Sequence, residues 1–252
     1  MNAALLTVGD ELLAGDIENT NATWLARQLT DRGVSVERIT VVPDEVDTIA
    51  EYVRTFAGQF DAVVVTGGLG GTPDDVTMDG VAAAFDRPLA VDEEARADIE
   101  RSVAAYQEAN PDRDVRVNVE RHASLPEGAR ALINGDGLSP GCVVENVYVV
   151  PGIPREMKAM FADVADEFTG EVRSRTLHTP LPESDVTPFM ETAREDLPDA
   201  VLGSYPSREG TPNRIKITAE SDEAIDEAEA WLCERIDVQR PPEDGGDETG
   251  EE

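Results

Sequence analysis

The sequence predicts an α/β protein whose sheet is mostly parallel, followed by a small α+β domain. Three observations carry this prediction. Short, continuously apolar runs of strand length recur in the first 170 residues, as strands buried on both faces require. Segments with helical periodicity separate them, the mark of βαβ units. From Glu171 the order changes to strand, helix, strand, strand, helix, which suits a compact α+β unit. The expected division is residues 1–170, 171–237, and a disordered acidic tail at 238–252, because QRPPEDGGDETGEE holds little that could enter a core.

In chain order, AALLTV (3–8) reads as a buried strand. NATWLARQLTDRG places Leu25 and Leu29 four apart with Ala22 and Ala26 beside them, and Gly33 stands where a C′ glycine ends a helix. VSVERITVV is a second strand. DEVDTIAEYVRTFAG carries Val46, Ile49, Val53 and Phe56 on one stripe, with Asp44 expected as its N-cap. DAVVVT (61–66) is a third strand, and a glycine-rich loop follows it. DEEARADIERSVAAYQEAN is a long amphipathic helix ending before Pro111. CVVEN and VYVVPG read as a hairpin or neighbouring strands, and PREMKAMFADVADEF as a helix with Pro154 near its start. In the second domain, EVRSRTLHT, AVLGSYP and RIKITA are strands, while ESDVTPFMETAREDL and DEAIDEAEAWLCERI are helices.

Composition removes several function classes. Asp plus Glu total 53 against 21 Lys plus Arg, a formal net charge of −32, and every basic residue except Lys158 and Lys216 is arginine. The acids are spread along the chain, as expected for a halophilic protein in a salty cytoplasm, and such a surface repels nucleic-acid phosphates. Nucleic acid is therefore not an expected partner. No apolar run approaches the roughly 20 residues that span a bilayer, so no membrane association is expected. The N-terminus lacks a basic n-region and reads as a strand, not a signal peptide. Two distant cysteines, Cys142 and Cys233, fit a reducing cytoplasm without a disulfide framework or zinc site.

The segment TGGLGGTPDDVTMDG (66–80) holds the chemistry. A glycine loop between a strand and a helix lets backbone N–H groups approach a phosphate, and the helix N-terminus adds a favourable dipole. It is not a Walker A loop, since it lacks lysine, and Pro73 stands where GxGxxG needs its last glycine. Asp74 and Asp75 fall at the expected helix start, with Asp79 one turn beyond Asp75. Any one of them can simply be a cap. Together they would repel a bare phosphate, whereas a divalent cation held by carboxylates would bridge to it.

Several ordered motifs give the chain a specific likeness. TVGDELLAGDIENTNATWLARQL, TGGLGGTPDDVT, LSPGC, VVPGIPREMKAMF and GSYPS, spread over residues 3 to 236, resemble the N-terminal part of the CinA family. That part contains the molybdopterin-binding fold shared with MogA, MoaB and MoeA proteins. The resemblance implies a three-layer α/β/α domain, and a loop in which Thr66, Gly67, Gly68, Gly70, Thr72 and Asp74 cradle a phosphate. It implies that Asp75 and Asp10 face a divalent metal (Mg²⁺, Mn²⁺ or Co²⁺), and that the ligand is a nucleotide or a molybdopterin. It further implies similarity to enzymes that split ADP-ribose, absence of the family's C-terminal deamidase domain, and a homo-oligomer, either dimer or trimer. Two positions depart from the family loop: Gly71 replaces a proline and Pro73 stands where a histidine is frequent.

Other positions admit an ordinary structural role beside a functional one. Asp10 and Glu11 end the first strand, where a carboxylate faces a ligand crevice or begins a turn. Of Asn19, Thr20 and Asn21, one caps the next helix and the others are free to donate to a ligand. Ser139 and Gly141 form either a plain turn or a binding wall, and Arg155 either fixes a turn or reaches a phosphate. His122 and His178 have no Ser or Cys partner at a recognisable spacing, which gives no support for a triad. Tyr205, Arg208 and Arg214 are either a hairpin with surface arginines or a clamp for a base and a phosphate.

The reading that unites these features is a metal-dependent nucleotide diphosphatase acting on ADP-ribose-like substrates, with Asp10, Asp75 and Asp79 as catalytic carboxylates. Its rivals are a pterin-binding protein without turnover and an inert subunit of a larger assembly.

Overall fold

The computed structural model describes residues 1–113, 117–206 and 212–241. The chain divides into two compact units, Met1–Gly170 and Glu171–Glu252.

The first unit begins with β1 (Asn2–Val8), α1 (Asp10–Ala14), α2 (Thr20–Asp31), β2 (Ser35–Val42), α3 (Val46–Ala57) and β3 (Ala62–Thr66). It continues with α4 (Thr77–Ala84), β4 (Leu89–Val91), α5 (Glu93–Ala109), α6 (Val119–His122), β5 (Ser124–Pro126) and β6 (Arg130–Leu132). It closes with β7 (Gly141–Val144), β8 (Val147–Val150) and α7 (Pro154–Val164). Six strands form one sheet in the order β2-β1-β3-β8-β7-β6. The pairs β1/β2, β1/β3 and β3/β8 are parallel, while β7/β8 and β6/β7 are antiparallel. Of the two arrangements expected at 142–152, the hairpin is the one present, with Glu145 at its turn in the left-handed region (φ 52°).

Alternation along the central strands builds the three layers. Ala4, Leu6 and Val8 of β1 and Val63 and Val65 of β3 pack with Ile49, Val53 and Phe56 of α3 and Val81 of α4. The intervening Ala3, Leu5 and Val64 pack with Leu25 and Leu29 of α2 and Met157 and Phe161 of α7. Side chains two apart share a face, so one apolar strand feeds both cores. The continuous apolar runs in the sequence reflect this double burial. The short elements α1, β4, β5, β6 and α6 carry no such periodicity and were not anticipated.

The chain leaves β1 for β2 on one side and returns to β3 on the other. The sheet order therefore reverses between β1 and β3, and in α/β sheets ligands bind beyond the strand C-termini at such a point.

The second unit comprises β9 (Arg173–Thr179), α8 (Glu183–Asp196), β10 (Ala200–Tyr205), β11 (Asn213–Ala219) and α9 (Asp222–Cys233). Its antiparallel sheet runs β10-β11-β9, and Leu177, Ile215 and Ile217 pack with Val186 of α8 and Ile225, Ala228 and Leu232 of α9. One boundary needs correction. Residues 238–240, expected in the disordered tail, belong to this unit. Gln239 exchanges two backbone hydrogen bonds with His178 of the edge strand β9 (2.7 and 2.9 Å), and Arg240 donates twice to Glu229 (both 2.7 Å). Residues 242–252 of that expected tail lie outside the described residues.

Gly80 lies where α4 crosses α3, and a β-carbon there would come within 2.5 Å of the Ile49 side chain. Helix propensity favours Gly80→Ala by about 1 kcal/mol, but overpacking costs about 1–3 kcal/mol. The substitution should therefore lower stability, read as a lower urea midpoint with an unchanged m-value.

Candidate functional site

Three loops meet beyond the C-terminal ends of β1, β2 and β3. The glycine loop is shaped by what it cannot hold. Gly67 adopts φ 105°, and a β-carbon there would lie 2.2 Å from the Val8 carbonyl oxygen. Gly68 follows with φ 63°, wedged between Thr77 Oγ1 and Asp44 Oδ1. Both conformations favour glycine strongly. Thr77 N–H donates to the Gly68 carbonyl (3.2 Å) and starts α4 there.

Asp75 folds the far end of the loop. Its Oδ2 accepts from the Thr72 N–H (2.8 Å) and the Thr72 hydroxyl (2.6 Å), and it rests against Gly70. Among the described residues, nothing accepts from the N–H groups of Gly68, Leu69, Gly70 or Gly71. Four consecutive donors in a partly exposed loop thus have no protein acceptor. Of the residues expected to cradle a phosphate, Gly67, Gly68 and Gly70 shape the loop, while the hydroxyls of Thr66 and Thr72 are already engaged. Thr66 donates to the Pro151 carbonyl (2.8 Å).

Two expectations about the acids need correction. Helix α4 begins at Thr77, after Asp74 and Asp75, because Val76 occupies the N-cap position without a side-chain cap. Asp75 therefore braces the loop and is not on a helix face with Asp79. Asp79, expected as a catalytic carboxylate, is bound by the Arg121 guanidinium through two hydrogen bonds (2.5 and 3.1 Å), so its charge is matched. The proximity of Asp79, in turn, raises the affinity of Arg121 for its proton.

Asp44 is not the cap of α3 that the sequence predicts. Helix α3 has Glu45 at its N-cap position, while Asp44 Oδ2 accepts from the Asp10 N–H (2.9 Å). Desolvation pushes the Asp44 pKa up, and the charges of Asp10, Glu11 and Asp74 add to this against the lowering effect of the Asp10 N–H. The neighbouring Thr72 hydroxyl is the first influence holding the exposed Asp74 carboxyl below its ordinary value. Asp44 thus ties the β1 loop to the β2 loop and touches the glycine loop. The end of a parallel strand was the available signal, and the apolar stripe of α3 masked it.

A cavity of about 110 Å³ lies beside the glycine loop, lined by Thr7, Glu11, Ile17, Asn19, Asn21 and Gly67 among others. Asn19 is the cap of α2, accepting from Ala22 N–H (3.1 Å) and donating to Thr7 Oγ1 (3.1 Å). Asn21 donates to the Gly152 carbonyl (2.6 Å), and its buried Oδ1 has no partner. Such an acceptor costs about 1–3 kcal/mol unless a donor reaches it. Glu11 lines this cavity, and its carboxylate also lies over Gly9.

The remaining expected residues divide. Gly141 is buried within β7, where a β-carbon would lie 2.2 Å from the Val149 carbonyl oxygen, so its role is close packing in the sheet. Arg155 donates to the Asp136 carbonyl (2.7 Å) and is occupied there. Ser139 Oγ lies 3.1 Å from His122 Nδ1, a partnership seventeen residues apart that no sequence spacing indicated. In the second unit Tyr205 pairs with Arg214 across β10 and β11, while Arg208 lies outside the described residues.

Comparison with known proteins agrees with this architecture. Residues 4–170, more than half of the chain, match the family described as "Probable molybdopterin binding domain". A crystal structure of the CinA protein of Thermoplasma acidophilum, whose function is given as unknown, is 34% identical with a TM-score of 0.59, covering 66% of this chain and 97% of that one. The chain belongs to the molybdopterin-binding-domain family, as a CinA-type N-terminal part. Residues 171–241 match the middle domain of FAD synthase. A family relative from Archaeoglobus fulgidus is 38% identical over 82% of this chain and 86% of its own length. A CinA-like protein of Frankia casuarinae is 46% identical over 64% of this chain, which spans only 38% of that longer protein. No helix among the described residues is long and apolar enough to cross a membrane.

The raised pKa of Asp44 sets a pH dependence. An acid whose folded pKa lies above its unfolded value favours the protonated form, so its charge costs stability at neutral pH. That cost vanishes as pH falls through the ordinary carboxylate range near the reference value of 3.8. Asp44→Asn, which keeps an acceptor for the Asp10 N–H, should raise Tm at pH 7 and converge with the wild type near pH 3.

Proposed function

We propose that the first unit is a metal-dependent nucleotide diphosphatase whose substrates resemble ADP-ribose. The observation that carries the reading is the row of four unpaired N–H groups, Gly68 to Gly71, set beside unneutralised carboxylates of three loops. The N–H row suits an anion, whereas the carboxylates alone would repel one. A diphosphate that arrives with a divalent cation satisfies both.

Oxygen-only donors suit Mg²⁺ or Mn²⁺. Among the described residues no group of three or more His, Cys, Asp or Glu is disposed to hold an ion by itself. A cation of the Mg²⁺ kind is held by one or two carboxylates together with substrate phosphates and water. Asp10 and Asp44 are the residues that would hold it, and Mg²⁺ there would supply Lewis-acid polarisation of a phosphoryl oxygen. The chain's own contribution is positional and electrostatic. The N–H groups receive charge developing on the diphosphate, and Asp75 keeps them aligned through Thr72. A salty cytoplasm would shorten the reach of the surrounding acidic field.

A second reading, binding of a pterin without turnover, draws on Asn21. Its unpartnered Oδ1 beside the cavity suits a ring N–H of a pterin, and equally an adenine amino group. Either ligand would leave its phosphates on the exposed loop, since the cavity is far smaller than a whole ligand site.

The test is release of AMP from ADP-ribose in concentrated KCl with Mg²⁺, Mn²⁺ or Co²⁺. Asp75→Ala and Asp44→Asn should each lower kcat/KM by about 100-fold or more while the fold survives. Absence of turnover with every metal, together with oxidisable pterin carried through purification, would replace this reading with the second.

A further inference from the structure

We propose that His122, its ring held by Ser139, is a positioning residue for the glycine loop, and that Gly71 is glycine to leave room for that ring. The proposal rests on the reading of the loop as a phosphate cradle. Gly67 and Gly68 are glycines for their backbones, with φ 105° and 63°, but Gly71 is outside the left-handed region. No backbone requirement excludes alanine there. What a β-carbon at Gly71 would meet is the imidazole: Nε2 at 2.8 Å and Cε1 at 3.1 Å.

The ring is not free to swing away. Its Nδ1 is 3.1 Å from Ser139 Oγ, and the N–H of His122 donates to the Asn118 carbonyl (3.1 Å). Asn118 also caps α6 through its side chain, which accepts from the Arg121 N–H (3.1 Å). Arg121, the preceding residue, binds the Asp79 carboxylate and the Asp75 carbonyl (3.4 Å). One turn of helix therefore grips the loop segment at Gly71, Asp75 and Asp79. Burial and the Arg121 charge favour the neutral ring against the opposing pull of Asp75, in keeping with a packing role.

The consequence is preorganisation. Fixing a residue's backbone costs conformational entropy, so N–H groups already aligned bind an anion more tightly than those ordered on arrival. His122 acts through Gly71 and need not touch the ligand.

Two readouts on the whole chain test this: NMR backbone order parameters of residues 68–71 without ligand, and calorimetric binding of ADP-ribose with Mg²⁺. His122→Ala and Gly71→Ala should each drop the order parameters of these amides from the rigid range of about 0.85 toward about 0.6 and weaken ADP-ribose binding by about tenfold. The double variant should be no worse than His122→Ala alone, because the alanine then has room. Ser139→Ala should give a smaller loss in the same direction, and serves if His122→Ala does not fold. His122→Gln, which returns a polar group of similar reach, should recover part of both effects. Losses that add in the double variant, or loop order unchanged in His122→Ala and Ser139→Ala, would overturn the proposal. Order is read without ligand, so coupled loosening in a protein that does not bind ADP-ribose would overturn only the ligand reading.

Discussion

Everything at the candidate site depends on the absence of a side chain where β3 ends. The chain leaves Thr66 with its next residue pressed against the Val8 carbonyl of the neighbouring strand, and only a glycine at 67 can pass. Gly152, at the end of β8, approaches the same glycine from the other side, where a β-carbon would lie 3.3 Å from the Gly67 Cα. Three strand ends thus converge without side chains between them. Among the described residues, no carbonyl receives the N–H groups of the four residues after Gly67. A loop of this kind carries an unmet hydrogen-bonding demand, which an anion can meet and a hydrophobic core cannot.

The acids around the loop are of two kinds, and the structure separates them by their partners. Asp75 and Asp79 are held by Thr72 and Arg121, and they shape the segment between the loop and α4. Asp10 and Asp44 are linked only through a backbone N–H, with Asp74 near enough to raise the cost of charging Asp44. In a chain carrying a net charge of −32, leaving such a group unneutralised is the costlier arrangement. A cation at that point would relieve the repulsion.

The second unit uses its few basic residues differently. Arg175 faces Asp226 and Glu229, and Arg240 donates twice to Glu229, whose carboxyl these arginines hold below the usual range, with Arg240 the larger influence. Arginine's planar fork suits such shared pairing better than lysine's point charge. The outcome is an ion-pair cluster that joins β9, α9 and the residues just before the end of the described chain.

The amino-acid sequence by itself determined the layers. Apolar runs with period-two burial and stripes of period 3.6 depend on local backbone geometry, so the central strands and long helices were legible at nearly their observed bounds, while the short strands β4, β5 and β6 were not. The TGG turn was legible for the same reason, since only glycine passes there. The tertiary structure alone decided which carboxylates remain free. Arg121 reaches Asp79 across 42 residues, and Asp10 meets Asp44 across 34. His122 meets Ser139 and Gly71 through a helix of one turn, with no periodicity to announce it. Such partnerships follow from the order in which strands assemble into the sheet, and no spacing along the chain encodes that order.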